Sequence, residues 1–102
     1  MDYNKLNSQL YQLSMPHRYQ KHKPDSLDKG YLKISDWIAD LCYHFEQKRL
    51  ALDKLSEEEF KQLIYAHRKK LHTIKDCEYK NGLIKAIDEI TQEVRRLNNT
   101  GQ

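Results

Sequence analysis

Lys61, Tyr65, Arg68, Lys69 and His72 recur at spacings of three and four, which puts them on one face of a helix. No acid interrupts the set. An aromatic ring among cations suits two kinds of ligand. The cations hold phosphates while the ring stacks a base or ribose, or the set docks an acidic protein surface, where tyrosine and arginine are favoured anchors. The plainer reading is a solvated helix face carrying one tyrosine.

A second cationic feature is the tract Pro16-His17-Arg18-Tyr19-Gln20-Lys21-His22-Lys23-Pro24. Its nine residues hold three strong bases and no acid, and the remaining 93 residues balance at 15 bases and 15 acids. The whole net charge of +3 therefore sits in one short stretch. Arg18, Tyr19, Lys21 and Lys23 join the helical set as candidate partner- or nucleic-acid-binding residues.

Other basic clusters have a simpler cause. Lys48-Arg49, Arg68-Lys69-Lys70 and Arg95-Arg96 fall late in their helices, whereas Glu57-Glu58-Glu59, Asp76 and Glu78 fall at helix starts. That order complements the helix dipole. The outer face of the fourth helix (Asp88, Glu89, Glu93) reads as solvated, and Tyr43, beside Asp36, Asp40 and Gln47 on the second, as an aromatic that is either exposed or covered by the connector or the first helix.

Groups suited to catalysis or metal binding do not converge in sequence. His17/His22 and His67/His72 are five apart, about 140° around a helix, so neither pair chelates from one helical face. Cys42 and His44 point about 200° apart. His67 falls on an apolar face and reads as an edge-of-core histidine. The two cysteines, Cys42 and Cys77, form no zinc spacing and read as free buried thiols in a reducing cytoplasm. There is no GxSxG, P-loop, GxGxxG, HExxH or EF-hand loop. The expectation is a non-enzymatic chain with no cofactor, no metal, no secretory signal and no membrane span.

The elements that carry these residues follow from apolar periodicity. Glycine and proline are scarce, and β-branched residues nowhere alternate. Tyr3, Leu6, Leu10 and Leu13 form a narrow stripe that Pro16 ends, giving a helix over 1–15. Residues 16–30 form a basic connector, with Asp25 and Ser26 as caps for a turn that Gly30 weakens. Ile34, Ile38, Leu41, Phe45 and Leu52 line a helix over about 31–53. Ser56 and Glu59 form a capping box ahead of Phe60, Leu63, Ile64, His67, Leu71 and Ile74. Tyr79, Leu83, Ala86, Ile87, Ile90, Val94 and Leu97 mark a fourth helix, in which Gly82 signals a close crossing or a late start. A frayed polar tail occupies 98–102.

The predicted fold is therefore all-α: a single-domain small antiparallel bundle, with three long helices forming a core over 31–97 and a shorter, looser N-terminal helix. If its narrow stripe is left uncovered, that arm invites a partner or a homodimer. The expected function is a small regulatory module acting through a protein partner. The alternative is a DNA- or RNA-binding protein making mostly non-specific phosphate contacts through the basic loop and the third-helix face.

Overall fold

A computed structural model describes residues 1–19, 23, 25–51 and 56–100. Four helices follow one another: α1 (Tyr3–Arg18), α2 (Ser26–Leu50), α3 (Ser56–Leu71) and α4 (Glu78–Thr100), with no strand among the described residues. The fold is the expected all-α antiparallel bundle, with a different internal balance. α1 and α3 are equally long at 16 residues, against 25 for α2 and 23 for α4.

Successive helices run in opposite directions. Tyr3 at the start of α1 meets Phe45 late in α2, while His17 at its end meets Asp28 at the start of α2. Phe45 meets Phe60, and Trp37 meets His67, across α2 and α3. The most extensive contact joins α2 to α4, and α1 and α3 flank that pair without packing backbone to backbone.

The α2–α4 contact depends on two glycines. A Cβ at Gly30 would lie 2.1 Å from the Tyr79 carbonyl oxygen, and one at Gly82 would lie 2.0 Å from the Leu27 carbonyl oxygen. Each glycine faces the other helix's backbone, so any larger residue forces the helices apart. The expectation of a close crossing at Gly82 holds, and Gly30 supplies its other half. For the same reason Gly30 lies inside α2 and does not delay its start.

Most of the described residues of the connector predicted over 16–30 are thus helical, and α2 begins five residues before the expected 31. Its start is a capping box built from two aspartates. Asp25 Oδ1 accepts from the Asp28 amide at 2.8 Å, and Asp28 Oδ2 accepts from the Asp25 amide at 3.2 Å. The other oxygen of Asp28 lies 2.6 Å from His17 Nδ1, and the His17 ring stacks on Tyr31 at 3.9 Å. One buried carboxylate therefore caps α2 and ties the end of α1 to it.

That tie also corrects the expected stop at Pro16. A proline in the last turn removes one intrahelical bond, yet α1 continues through Arg18, and the Tyr19 amide still donates to the Met15 carbonyl at 3.0 Å. Arg18 donates from Nε to Ser14 Oγ at 2.9 Å and from Nη2 to Asp36 at 2.6 Å. At the far end, α4 stays helical to Thr100, so the backbone at 98–100 is not a frayed tail. Leu52 and residues 101–102 lie outside the described residues, as does the position preceding Ser56, where α3's cap would sit.

The core draws on all four helices and is not confined to 31–97. Tyr3, Leu6 and Leu10 of α1 are buried with Ile34, Ile38 and Phe45 of α2, Phe60 and Ile64 of α3, and Leu83, Ile87 and Ile90 of α4. Of the α1 stripe Tyr3, Leu6 and Leu10 are buried and Leu13 is half-buried against the core, so it is not the uncovered arm that the narrow pattern suggested. The Tyr3 and Phe45 rings meet Phe60 edge-on at 5.1 and 5.3 Å and close one end of the core. Leu63 and Ile74, expected on the apolar face of α3, are instead exposed. The predicted core faces carried no acids, yet Asp28 and Glu46 are buried at their edges, Glu46 beneath Arg49.

Two predictions follow from this packing. Gly30→Ala and Gly82→Ala should each destabilise the chain by about 2 kcal/mol through overpacking, although helix propensity alone favours alanine by about 1 kcal/mol. A urea midpoint that rises in either variant would contradict the crossing. Burial also pushes the Tyr3 phenol from 10.0 up to about 12, with Glu57 adding to it, and the Cys42 thiol from 9.0 up to about 12. Both groups stay neutral in the folded chain while the unfolded chain ionises first. Stability should therefore be intact below about pH 9 and fall as pH climbs toward 12. Tyr3→Phe should flatten that decline in urea titrations at several pH values, and an unchanged slope would contradict the account.

A candidate binding groove between α3 and α4

α3 and α4 lie antiparallel and leave a groove between their outer faces. Its volume is about 720 Å³, and its walls are Lys61, Gln62, Ile64, Tyr65, Arg68, Asp88, Thr91, Gln92, Val94 and Arg95. The α3 wall repeats at 61, 64/65 and 68 and the α4 wall at 88, 91/92 and 95, two helical turns on each side. Ile64 and Val94 are also core residues, so the groove has an apolar bed fixed by the bundle interior. Cations stand along its edges.

Three of the five helix-face candidates line this groove: Lys61, Tyr65 and Arg68. The other two adjoin it. Lys69 Nζ lies 4.6 Å from the centre of the Tyr65 ring, and His72 Nε2 lies 3.3 Å from Arg68 Nη1. The helical spacing therefore identified a real cluster. It did not show that an acid enters from the neighbouring helix. Asp88 of α4 accepts from Arg68 Nε at 2.8 Å and holds the guanidinium above its usual range. Lys61 Nζ lies 3.6 Å from Glu57 one turn earlier.

These pairs change the electrostatics of the face. Arg68 is held and partly neutralised, and Lys69 is turned toward its tyrosine. Arg95, which the sequence reading assigned to the helix dipole, is exposed on the groove and makes no ion pair among the described residues. Arg95 and the neutral polar side chains Gln62, Thr91 and Gln92 are the groove residues that sequence reasoning missed. Their alignment with α3 depends on the register of α4, which no local pattern encodes.

The acidic outer face expected for α4 is accordingly not simply solvated. Asp88 pairs with Arg68, Glu93 with Arg96 at 2.7 Å, and Glu89 has one oxygen buried beside Tyr31. Burial pushes the Tyr31 phenol above the ordinary tyrosine range, and the Glu89 carboxylate adds to that.

The described residues of the basic tract do not line this groove. Arg18 turns back onto Ser14 and Asp36, and His17 is buried. Tyr19 is 68% exposed and shares a 2.6 Å hydroxyl contact with Tyr11. Lys23 is exposed, and Lys21 and His22 lie outside the described residues. The expected contact surface thus divides into a groove on α3 and α4 and a separate, partly self-satisfied cluster at the end of α1.

The remaining candidate chemistry is quiet. His67 is half-buried against Trp37 at 4.4 Å, and burial followed by the charge of Lys70 holds its pKa below the ordinary value, as an edge-of-core histidine should behave. Cys42 is buried with its thiol held neutral, while Cys77, expected to be buried too, is exposed. Among the described residues no group of three or more His, Cys, Asp or Glu is placed to hold a metal ion, and no helix is long and apolar enough to cross a membrane.

The Arg68–Asp88 pair should behave as a solvent-screened bridge, both side chains being more than a third exposed. A double-mutant cycle with Arg68→Ala and Asp88→Ala should give a coupling of about 0.5 kcal/mol that shrinks with added salt. A much larger, salt-independent coupling would contradict that reading. No protein-family model matches the chain, and no curated protein or solved structure matches it either.

Proposed function

We propose that this chain is a small, non-enzymatic regulatory module of the reducing cytoplasm that binds an acidic segment of a protein partner in the α3/α4 groove. The observation that carries the reading is the groove itself, with an apolar bed of Ile64 and Val94, Tyr65 at its side and an unpaired Arg95 on its edge. An amphipathic segment fits such a surface. Its apolar side chains cover the bed, and its carboxylates meet the cations. Tyrosine and arginine are the side chains best suited to anchor the contact. The two free cysteines support the reducing compartment.

Nucleic-acid binding draws on the same cations and is the weaker reading. Lys69 covers one face of the Tyr65 ring, the surface a base would stack on, and Arg68 is already committed to Asp88. Arg18, which would extend the phosphate contacts, is committed to Asp36.

The test uses the full chain and three labelled probes: an amphipathic peptide of glutamate and leucine, its lysine–leucine counterpart, and single-stranded polythymidylate. Fluorescence anisotropy should show saturable binding of the acidic peptide alone, weakened about tenfold or more by R95E or Tyr65→Ala. Preference for polythymidylate with a steep salt dependence would replace the proposal with nucleic-acid binding. Equal binding of all three probes, or of none, would remove the groove as a specific site.

A further inference from the structure

The chain carries on its own surface a segment of the kind the groove fits. Asp36, Asp40, Tyr43, Gln47 and Leu50 recur at intervals of four and three along the outer face of α2, opposite the buried line of Ile34, Ile38, Cys42 and Phe45. Tyr43 and Leu50 are 67% and 63% exposed, among the most exposed large apolar side chains described. Asp36 is held by Arg18, whereas Asp40 is exposed and makes no ion pair among the described residues. The stripe therefore offers a free carboxylate one turn before an exposed aromatic ring.

We propose that the outer stripe of α2 docks into the α3/α4 groove of a second copy of this chain, with Asp40 meeting Arg95 and Tyr43 lying on the bed of Ile64 and Val94 beside Tyr65. This rests on the reading of the groove given above and names its occupant. Three features support it. The charges are complementary, a free carboxylate on one surface and a free guanidinium on the other. The lengths match, because Asp40 to Gln47 covers two turns, about 10 Å, as does each wall of the groove. The geometry excludes self-occupancy, because the stripe points away from the core that α2 shares with α3 and α4, so it reaches only another molecule.

The two surfaces differ, so the contact is head to tail and each copy has one of each to offer. A single helix face in a two-turn groove makes a small interface, in the range of weak and transient contacts. Association should therefore appear at high concentration and fade with salt.

Sedimentation velocity of the full chain, in reductant so that the exposed Cys77 does not link copies, tests this across micromolar to millimolar concentrations. The average mass should rise with concentration and fall with added salt. D40K and R95E should each remain monomeric where the wild-type chain associates, and the D40K/R95E double variant, with both signs exchanged, should associate again. Circular dichroism should show wild-type helicity in all three, since both positions are exposed. A chain that stays monomeric throughout, or single variants that associate like the wild type, would overturn the proposal. The glutamate–leucine peptide separates the two levels of the argument. A monomeric chain that still binds it through Arg95 retains the groove and loses only the self-docking, whereas a monomeric chain that ignores it loses both.

Discussion

Backbone meets backbone where α2 crosses α4, and every other contact in the bundle is arranged around that approach. Glycine is costly inside a helix, by about 1 kcal/mol each relative to alanine. Two are placed here because nothing larger fits between Gly30 and the Tyr79 carbonyl, or between Gly82 and the Leu27 carbonyl. Close approach brings dispersion contacts and weak Cα–H···O interactions that offset part of the cost. With α2 and α4 fixed, α1 and α3 pack on either side of the pair. The α3/α4 groove is the surface that results, its bed formed by the outer edges of residues whose other sides are core.

Electrostatics then sets what that surface offers. Part of the charge is spent within the chain. Arg49 sits on Glu46, Lys48 on Glu59, Arg68 on Asp88 and Lys80 on Asp76. The exposed ones, Lys48–Glu59 and Arg68–Asp88, contribute little to stability, but every pair removes a cation from the set available to a ligand. A balanced composition therefore does not mean a neutral surface everywhere. Arg95 in the groove and Asp40 on α2 are conspicuous because their neighbours are already matched. Asp28 is the opposite case, a buried carboxylate whose two oxygens serve a helix cap and a neighbouring helix's histidine together.

Helical class and most of the core lines of α2, α3 and α4 were legible from spacing alone, because a buried helix must repeat its apolar residues every three or four positions, but Leu63, Ile74 and Tyr79, which fit the same spacing, are exposed. The cluster of Lys61, Tyr65, Arg68, Lys69 and His72 was legible for the same reason, since it belongs to one helix. What local pattern does not encode is partnership between helices. Gly30 reads as a helix breaker until the backbone of α4 is placed against it. Pro16 reads as a stop until His17 and Arg18 are seen to be held by Asp28 and Asp36. Asp88 and Arg95 read as ordinary solvated charges until α4 is set beside α3. The α1 stripe looked too narrow to be covered, yet the central α2–α4 pair leaves room to bury Tyr3, Leu6 and Leu10 and to half-bury Leu13.

The central claim is that the face shared by α3 and α4 is where this molecule makes its contacts. Amide chemical-shift mapping by two-dimensional NMR, with the glutamate–leucine peptide added to the isotope-labelled chain, tests it most directly. The account predicts shifts concentrated at residues 61–68 and 88–95, leaving the start of α1 and its contact with α2 unmoved. Shifts centred on the end of α1 around Tyr11, Arg18 and Tyr19, or spread evenly over the surface, would contradict it.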